Sequence, residues 1–309
     1  MASSFRTLAD VMALADLNLG DEDPTELLQD ARVLAALPAK ESSNGQYHKY
    51  AREIGAPTVG FRTVNVGREL SKTTEEIVTA ELKLMDASWS VDSTLIDDIG
   101  NGEANRQTSG HLRAAFKKFE QIIFYGTDAT VGDTAGFSGL MQELTVAKGN
   151  VTLNGGGAGD ELTSIYLIRA LPNEIEAISQ GEIEMGNITE SMGLEAGQTD
   201  KWLNRYSMKI QAWLGLQVGT KYSAHRLANV ATASAAPAGE KASDDAILDA
   251  VSVMPYEPTH IVMNRYALRD LRNSRTATSN TGVASRPTDV DGIPIISTTT
   301  LRTDEAIAS

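Results

Sequence analysis

The chain has no cysteine in 309 residues, which excludes disulfides, thiolate catalysis, zinc ribbons and iron–sulfur clusters together. Stability must come from packing and assembly. Aromatic residues are scarce at 6% while glycines number 26, so an interior of aliphatics and alanine joined by many turns is expected. Positive charge is in short supply: 27 Lys and Arg stand against 41 Asp and Glu, a formal net charge of −14. That balance opposes tight binding to a phosphate backbone, whose affinity rests on clustered Lys and Arg, and it disfavours a DNA-binding enzyme. No run approaches the roughly 20 apolar residues of a membrane span, and Met1 to Arg6 lack a charged segment followed by an apolar stretch. A protein made and kept in the cytosol, without membrane contact, is the expectation. What remains, 41% hydrophobic and 22% charged residues, is ordinary globular composition with length for one large domain or two modest ones.

The most informative segment is a two-sided polar β-arm from about Gln46 to Leu84. Tyr47 to Arg52 and Val78 to Leu84 both alternate, the period of strands. Between them lie Gly55, Pro57, Gly60 and Gly67, a charged tip and little apolar mass. A two-stranded ribbon is marginally stable alone in water, so one this long needs something to lie on. A second copy of the chain is the nearest candidate, with folding back onto its own domain as the alternative. Phe61, Val64 and Val66 have no evident intrachain core to join, and Lys72 stands near them, so these four are candidate interface residues.

Before the arm, Phe5, Leu8, Met12 and Ala15 recur at helical spacing. Asp23-Pro24-Thr25-Glu26 announces a second helix, with Leu27, Ala31, Leu34 and Ala35 as its stripe and Pro38 as its end. After the arm, 100–126 reads as the longest helix. Leu112, Ala115, Phe116, Phe119, Ile122 and Ile123 share one face, Arg113, Lys117 and Glu120 lie opposite, and Gly126 is the C-cap. A turn-rich stretch follows to Phe137. Ser164 to Ile168 is a buried-strand candidate, and 206–229 holds at least one more strand. Ala231 to Ala242 reads as a linker. Beyond it, a helix over Asp244 to Val253, a strand over Thr259 to Asn264, a helix over Arg265 to Ser274 and a strand over Ile293 to Ser297 suggest a small α/β unit.

Candidate chemistry is thin. His48, His111, His225 and His260 are scattered without the spacing of a metal site. Gly155 to Gly159 lacks the Lys-Ser/Thr and the following helix of a phosphate loop, and Gly136-Phe137-Ser138-Gly139-Leu140 lacks the final glycine of a nucleophile elbow. No cofactor is implied. Seven carboxylates between Asn173 and Asp200, without one Lys or Arg, read as a solvated acidic face, a cation site or a docking surface. Their counterpart is the row Arg265, Arg269, Arg272 and Arg275, which falls on one side of its helix and is expected to meet carboxylates of a neighbour, to touch nucleic acid or to lie in solvent.

Taken in order, the β-arm with Gly55 to Phe61, the long helix closing on Phe124-Tyr125-Gly126-Thr127-Asp128, the following Phe137-Ser138-Gly139-Leu140, Thr259 to Asn264 and the late Val290 to Ile295 resemble the major capsid proteins of tailed double-stranded DNA bacteriophages. The resemblance implies an α+β fold: an N-terminal helical arm (1–45), an extended β-loop (46–85), a peripheral domain (86–241) with a spine helix at about 100–126, and an axial domain (242–309). It implies a structural protein that self-assembles as pentamers and hexamers of an icosahedral shell, assembled in the host cytoplasm and enclosing the genome without sequence-specific contacts. Portal and scaffolding proteins, and in some relatives a decoration protein, would be its partners. Some relatives cross-link an extended-loop lysine to a neighbour's asparagine. Lys72 is the one candidate here, and without a matching Asn and Glu pattern no catalytic residue is carried over. The rival readings are an encapsulin-type nanocompartment shell and a soluble α/β enzyme, which would need a ligand pocket with convergent polar groups.

Overall fold

The computed structural model describes residues 28–55, 57–69, 71–95, 101–144, 152–181, 183–194, 201–220, 222–278 and 282–308. The helix expected around Phe5 to Ala15 and the start of the second, at Asp23 to Glu26, lie outside them. In chain order the elements are α1 (Arg32–Ala36), β1 (Ala39–Glu41), β2 (Tyr47–Gly55), β3 (Thr74–Glu81), β4 (Lys83–Asp86), β5 (Trp89–Asp92), α2 (Asn101–Tyr125), α3 (Leu140–Glu143), β6 (Thr152–Asn154), β7 (Leu162–Ile168), β8 (Ile175–Ser179) and β9 (Glu184–Met185). They continue as β10 (Thr189–Leu194), β11 (Trp202–Met208), β12 (Ile210–Val218), β13 (Ala224–Ala231), α4 (Asp244–Val253), β14 (His260–Asn264), α5 (Arg265–Thr278), β15 (Asp289–Val290) and β16 (Ile293–Thr298).

The long helix α2 forms where its apolar period predicts. Leu112, Phe116, Phe119 and Ile123 are buried and pack with Met85, Ile210 and Leu214 of the sheet that pairs β1, β8, β12 and β4, with β9 beside β12. Helix α1 docks into the same core through Val33 and Leu34; Ala35, expected on its stripe, is exposed. Glu120 is a correction. Read as an outward charge, it is fully buried beside Phe119.

A second sheet runs β15-β16-β14-β7-β13-β6. Strand β7 is buried at every position, because Tyr166 and Ile168 face the α2 core while Ile165 and Leu167 face a second core under α4 and α5. Burial on both faces gives a strand its continuous apolar run. The α/β unit read from 242 onward therefore does not stand alone: β14 pairs with β7, whose residues lie well before the linker that begins at Ala231. Two smaller sheets complete the described residues, the hairpin β2-β3 and the strip β10-β11-β5.

Candidate assembly surfaces

Two glycines fix the end of the long helix. Gly126 has φ +53°, the left-handed cap that favours glycine, and it lies against Gly139 so closely that a Cβ at either would meet backbone within 2.5 Å. The Gln142 amide donates to Tyr125 O at 2.7 Å while its Oε1 accepts from Gly139 N at 2.9 Å. Phe137 meets Phe119 edge to face at 5.8 Å. The Tyr-Gly-Thr-Asp and Phe-Ser-Gly-Leu segments are thus two halves of one packed knot.

Buried polar groups tie both flanks of the chain to this spine. Glu120 accepts from Val33 N at 2.8 Å and from the hydroxyls of Thr298 and Thr300 at 2.5 and 2.7 Å. Burial pushes its carboxyl above the usual range, and these donors partly offset the shift. Glu305 accepts from Tyr125 Oη at 2.7 Å and pairs with Arg226 at 3.0 Å, both ionic side chains being nearly fully buried. His225, equally buried, has neither ring nitrogen hydrogen-bonded to a described residue, and burial pulls its pKa down to about 4.

The arm leaves this body as an antiparallel ribbon from Tyr47↔Glu81 to Gly55↔Thr74. Its root is held: His48 Nε2 meets Gln217 Oε1 at 2.8 Å, Val218 N donates to Tyr50 Oη at 3.3 Å, and Arg52 pairs with Glu143 at 3.2 Å. Its tip stands in water. All described residues from 57 to 73 are exposed, and their hydrogen bonds close within the loop, from Thr58 N to Ser71 Oγ at 2.7 Å and from Arg68 to Gly60 O and Thr58 O. Phe61, Val64 and Val66 stand in solvent, Val64 at 83%. Lys72 is exposed beside them.

The arginine row divides. Arg275 grips Asp244 through two bonds of 2.8 and 2.6 Å, and Arg269 holds Asp270 at 2.9 and 3.0 Å and Thr232 O at 3.0 Å. Those hydrogen bonds raise both guanidinium pKa values. Among the described residues Arg272 spends only its Nε, on Ala284 O at 2.8 Å. Arg265 has no ion pair to a described residue. With Arg269 and Arg272 it lines a cleft of about 470 Å³ that Arg32 and Arg286 also enter, and no carboxylate among the described residues lines it. Sequence reasoning missed the last two arginines, which come from outside α5, one of them from the far end of the chain.

The acidic run also divides. Glu176 is buried near Lys40, and Glu174 pairs with Arg169 at 2.7 Å. Farther along, β10 and β11 form an unforeseen hairpin, paired from Thr189↔Ser207 to Leu194↔Trp202. Met192 is 66% and Trp202 60% exposed.

A family model described as Major capsid protein GP7 matches residues 24–308. The chain belongs to that family. It is a structural major capsid protein of the tailed-bacteriophage kind, a subunit of an icosahedral shell located in the virion capsid. Among solved structures it is similar to a chain of bacteriophage Epsilon15, at 19% identity and TM-score 0.59, over 100% of this chain and 99% of that one. The Epsilon15 likeness places the α+β architecture among phage capsid folds. The bacteriophage JBD30 capsid matches at 11% identity and TM-score 0.47, over 97% and 96% of the two chains, and a structure of Mycobacterium phage Adephagia at 12% and 0.44, over 62% and 84%. A search of curated proteins finds no match. For a GP7 capsid subunit the encapsulin-type alternative is not favoured.

Proposed function

We propose that this capsid subunit closes shells around double-stranded DNA as pentamers and hexamers by laying residues 46–85 across an adjacent subunit. The observation that carries the reading is the loop tip, which puts Phe61, Val64 and Val66 into water while its own hydrogen bonds are satisfied internally. Such a segment is folded yet unpartnered, and an apolar surface on a neighbour is what it lacks. Lys72 lies at the same contact. In this reading residues 1–45 form the N-terminal arm, 86–241 the peripheral domain with α2 as spine, and 242–309 the axial part, which shares its sheet with β7 and β13. Arg265 and Arg272 face a neighbouring subunit, while Arg269 and Arg275 hold their own. The subunit works without catalytic residues, assembles in the host cytoplasm, and meets portal, scaffolding and decoration proteins as separate partners. Deleting Gly60 to Lys72 tests the central claim. Circular dichroism should retain the native signal while negative-stain images contain no closed particles; normal particles from the deletion would sink it.

A further inference from the structure

The arginine cleft and the β10-β11 hairpin are complementary, and both are open among the described residues. Alternation along β10 puts Glu190, Met192 and Leu194 on one face, and the pairing brings Trp202 beside Leu194 on that same face. Glu190 has no ion pair among the described residues. Glu184, the carboxylate nearer the hairpin's base, is already taken by Lys209 at 2.9 Å. The hairpin therefore offers one unspent carboxylate flanked by three exposed apolar side chains.

The cleft is the inverse of this. Arg269 is paired with Asp270, but the other four arginines meet no lining carboxylate among the described residues, and Leu268 and the largely exposed Val283 supply apolar wall. Guanidinium groups suit planar carboxylates, which they bind through two parallel bonds. A phosphate backbone could neutralise the charge, but it has no apolar group for Val283 and Leu268. Met and Trp are also residue types enriched where proteins meet.

We infer that the arginine cleft of one copy receives the β10-β11 hairpin of another, with Glu190 set among Arg265, Arg272 and Arg286 and with Met192, Leu194 and Trp202 against Val283 and Leu268. This rests on the reading of the chain as a subunit of capsomers. The two patches differ, so each copy is donor to one neighbour and acceptor to the other, the head-to-tail contact that closes rings. One hairpin face buries little area, so a single contact is weak. Repetition around a ring, together with the other contacts of each copy, makes it effective.

The cysteine-free chain allows a direct test. Full-length protein carrying Met192→Cys and Val283→Cys should give a ladder of disulfide-linked oligomers on non-reducing gels after mild oxidation of assembled material, and each single variant should not. Separately, Arg265→Glu with Arg272→Glu should lower the assembled fraction in size-exclusion chromatography at least tenfold while leaving circular dichroism unchanged, and adding Glu190→Arg should restore most of it. Wild-type protein that forms neither rings nor shells would overturn the capsomer reading itself. Wild-type assembly with paired cysteines that stay unlinked, or arginine variants that assemble normally, would overturn this inference alone. So would arginine variants that assemble normally but retain less DNA, which would assign the cleft to phosphate.

Discussion

Phe119 on the long helix and Phe61 at the loop tip are the same side chain in opposite circumstances. Phe119 is wholly buried, seated between α1, Phe137 and the β12 sheet, whereas Phe61 is wholly exposed. Burying such a ring stabilises by roughly 1.5–3 kcal/mol, so the chain draws that energy within the subunit at one site and leaves it undrawn at the other. Polar groups divide in the same way. Around the spine, Glu120 and Glu305 are buried with their partners supplied from distant parts of the chain, while at the loop tip Thr58, Arg68 and Ser71 bond to each other in water. Under the function proposed above, the difference separates residues that make the subunit from residues that make the shell, and each can be perturbed on its own.

The largest effect should come from Phe119→Ala. Truncating a buried Phe costs about 3–5 kcal/mol, so the variant subunit should be insoluble or readily digested by protease, and a urea melt matching wild type would mean that this face is not core. Glu120→Ala comes next, because it strands the Val33 amide and the Thr298 and Thr300 hydroxyls in a dry interior. The expected loss is on the order of 3 kcal/mol, measured by the same melt, and the loss should be smaller for Glu120→Gln.

His225 gives a pH signature of similar or smaller size. Its ordinary pKa is about 6.5 and its value in the fold is about 4, so the fold favours the neutral ring. The stability it carries is complete above about pH 6.5 and is lost as pH falls toward 4, up to ~3 kcal/mol. Glu120 acts with the opposite sign: its raised carboxyl contributes fully below the ordinary range near 4.3 and less as pH rises through its folded value. Subtracting the His225→Leu melts from wild type between pH 4 and 7 isolates the histidine; identical slopes would show that it does not titrate against the fold. The smallest effect on the subunit should be that of Phe61→Ser, within about 0.5 kcal/mol of wild type. Its effect should appear in particle counts by negative stain, and a subunit destabilised as much as by Phe119→Ala would erase the distinction between the two regions.

Much of this was readable where the determining contacts are local. The long helix, its Gly126 cap and the succession α4, β14, α5 and β16 follow from apolar period and turn residues within short windows, and α5 merely runs on to Thr278. The arm was legible because both limbs alternate. Strands β10 and β11 were not, since Thr189-Glu-Ser-Met-Gly-Leu194 has no core-facing period; its apolar residues point to solvent. Glu120 was misread because the atoms that satisfy it come from Val33, Thr298 and Thr300, positions that no helical wheel contains. The cleft had the same obstacle, with Arg32 and Arg286 joined to α5 only by the folding of the whole chain.

Strand β3 passes into β4 through a single residue, Leu82, which is buried and donates its amide to Gln46 O at 2.8 Å. The exposed loop and the central sheet are therefore one mechanical member. A pull on the tip travels along β3 into the β4-β12 ladder, where the four pairs from Lys83↔Leu214 to Asp86↔Gln211 are loaded together in shear instead of being peeled apart one at a time. Pressure on a closed shell would reach each subunit through its loop as tension of this kind, and the place that resists it is the sheet against which the long helix is packed.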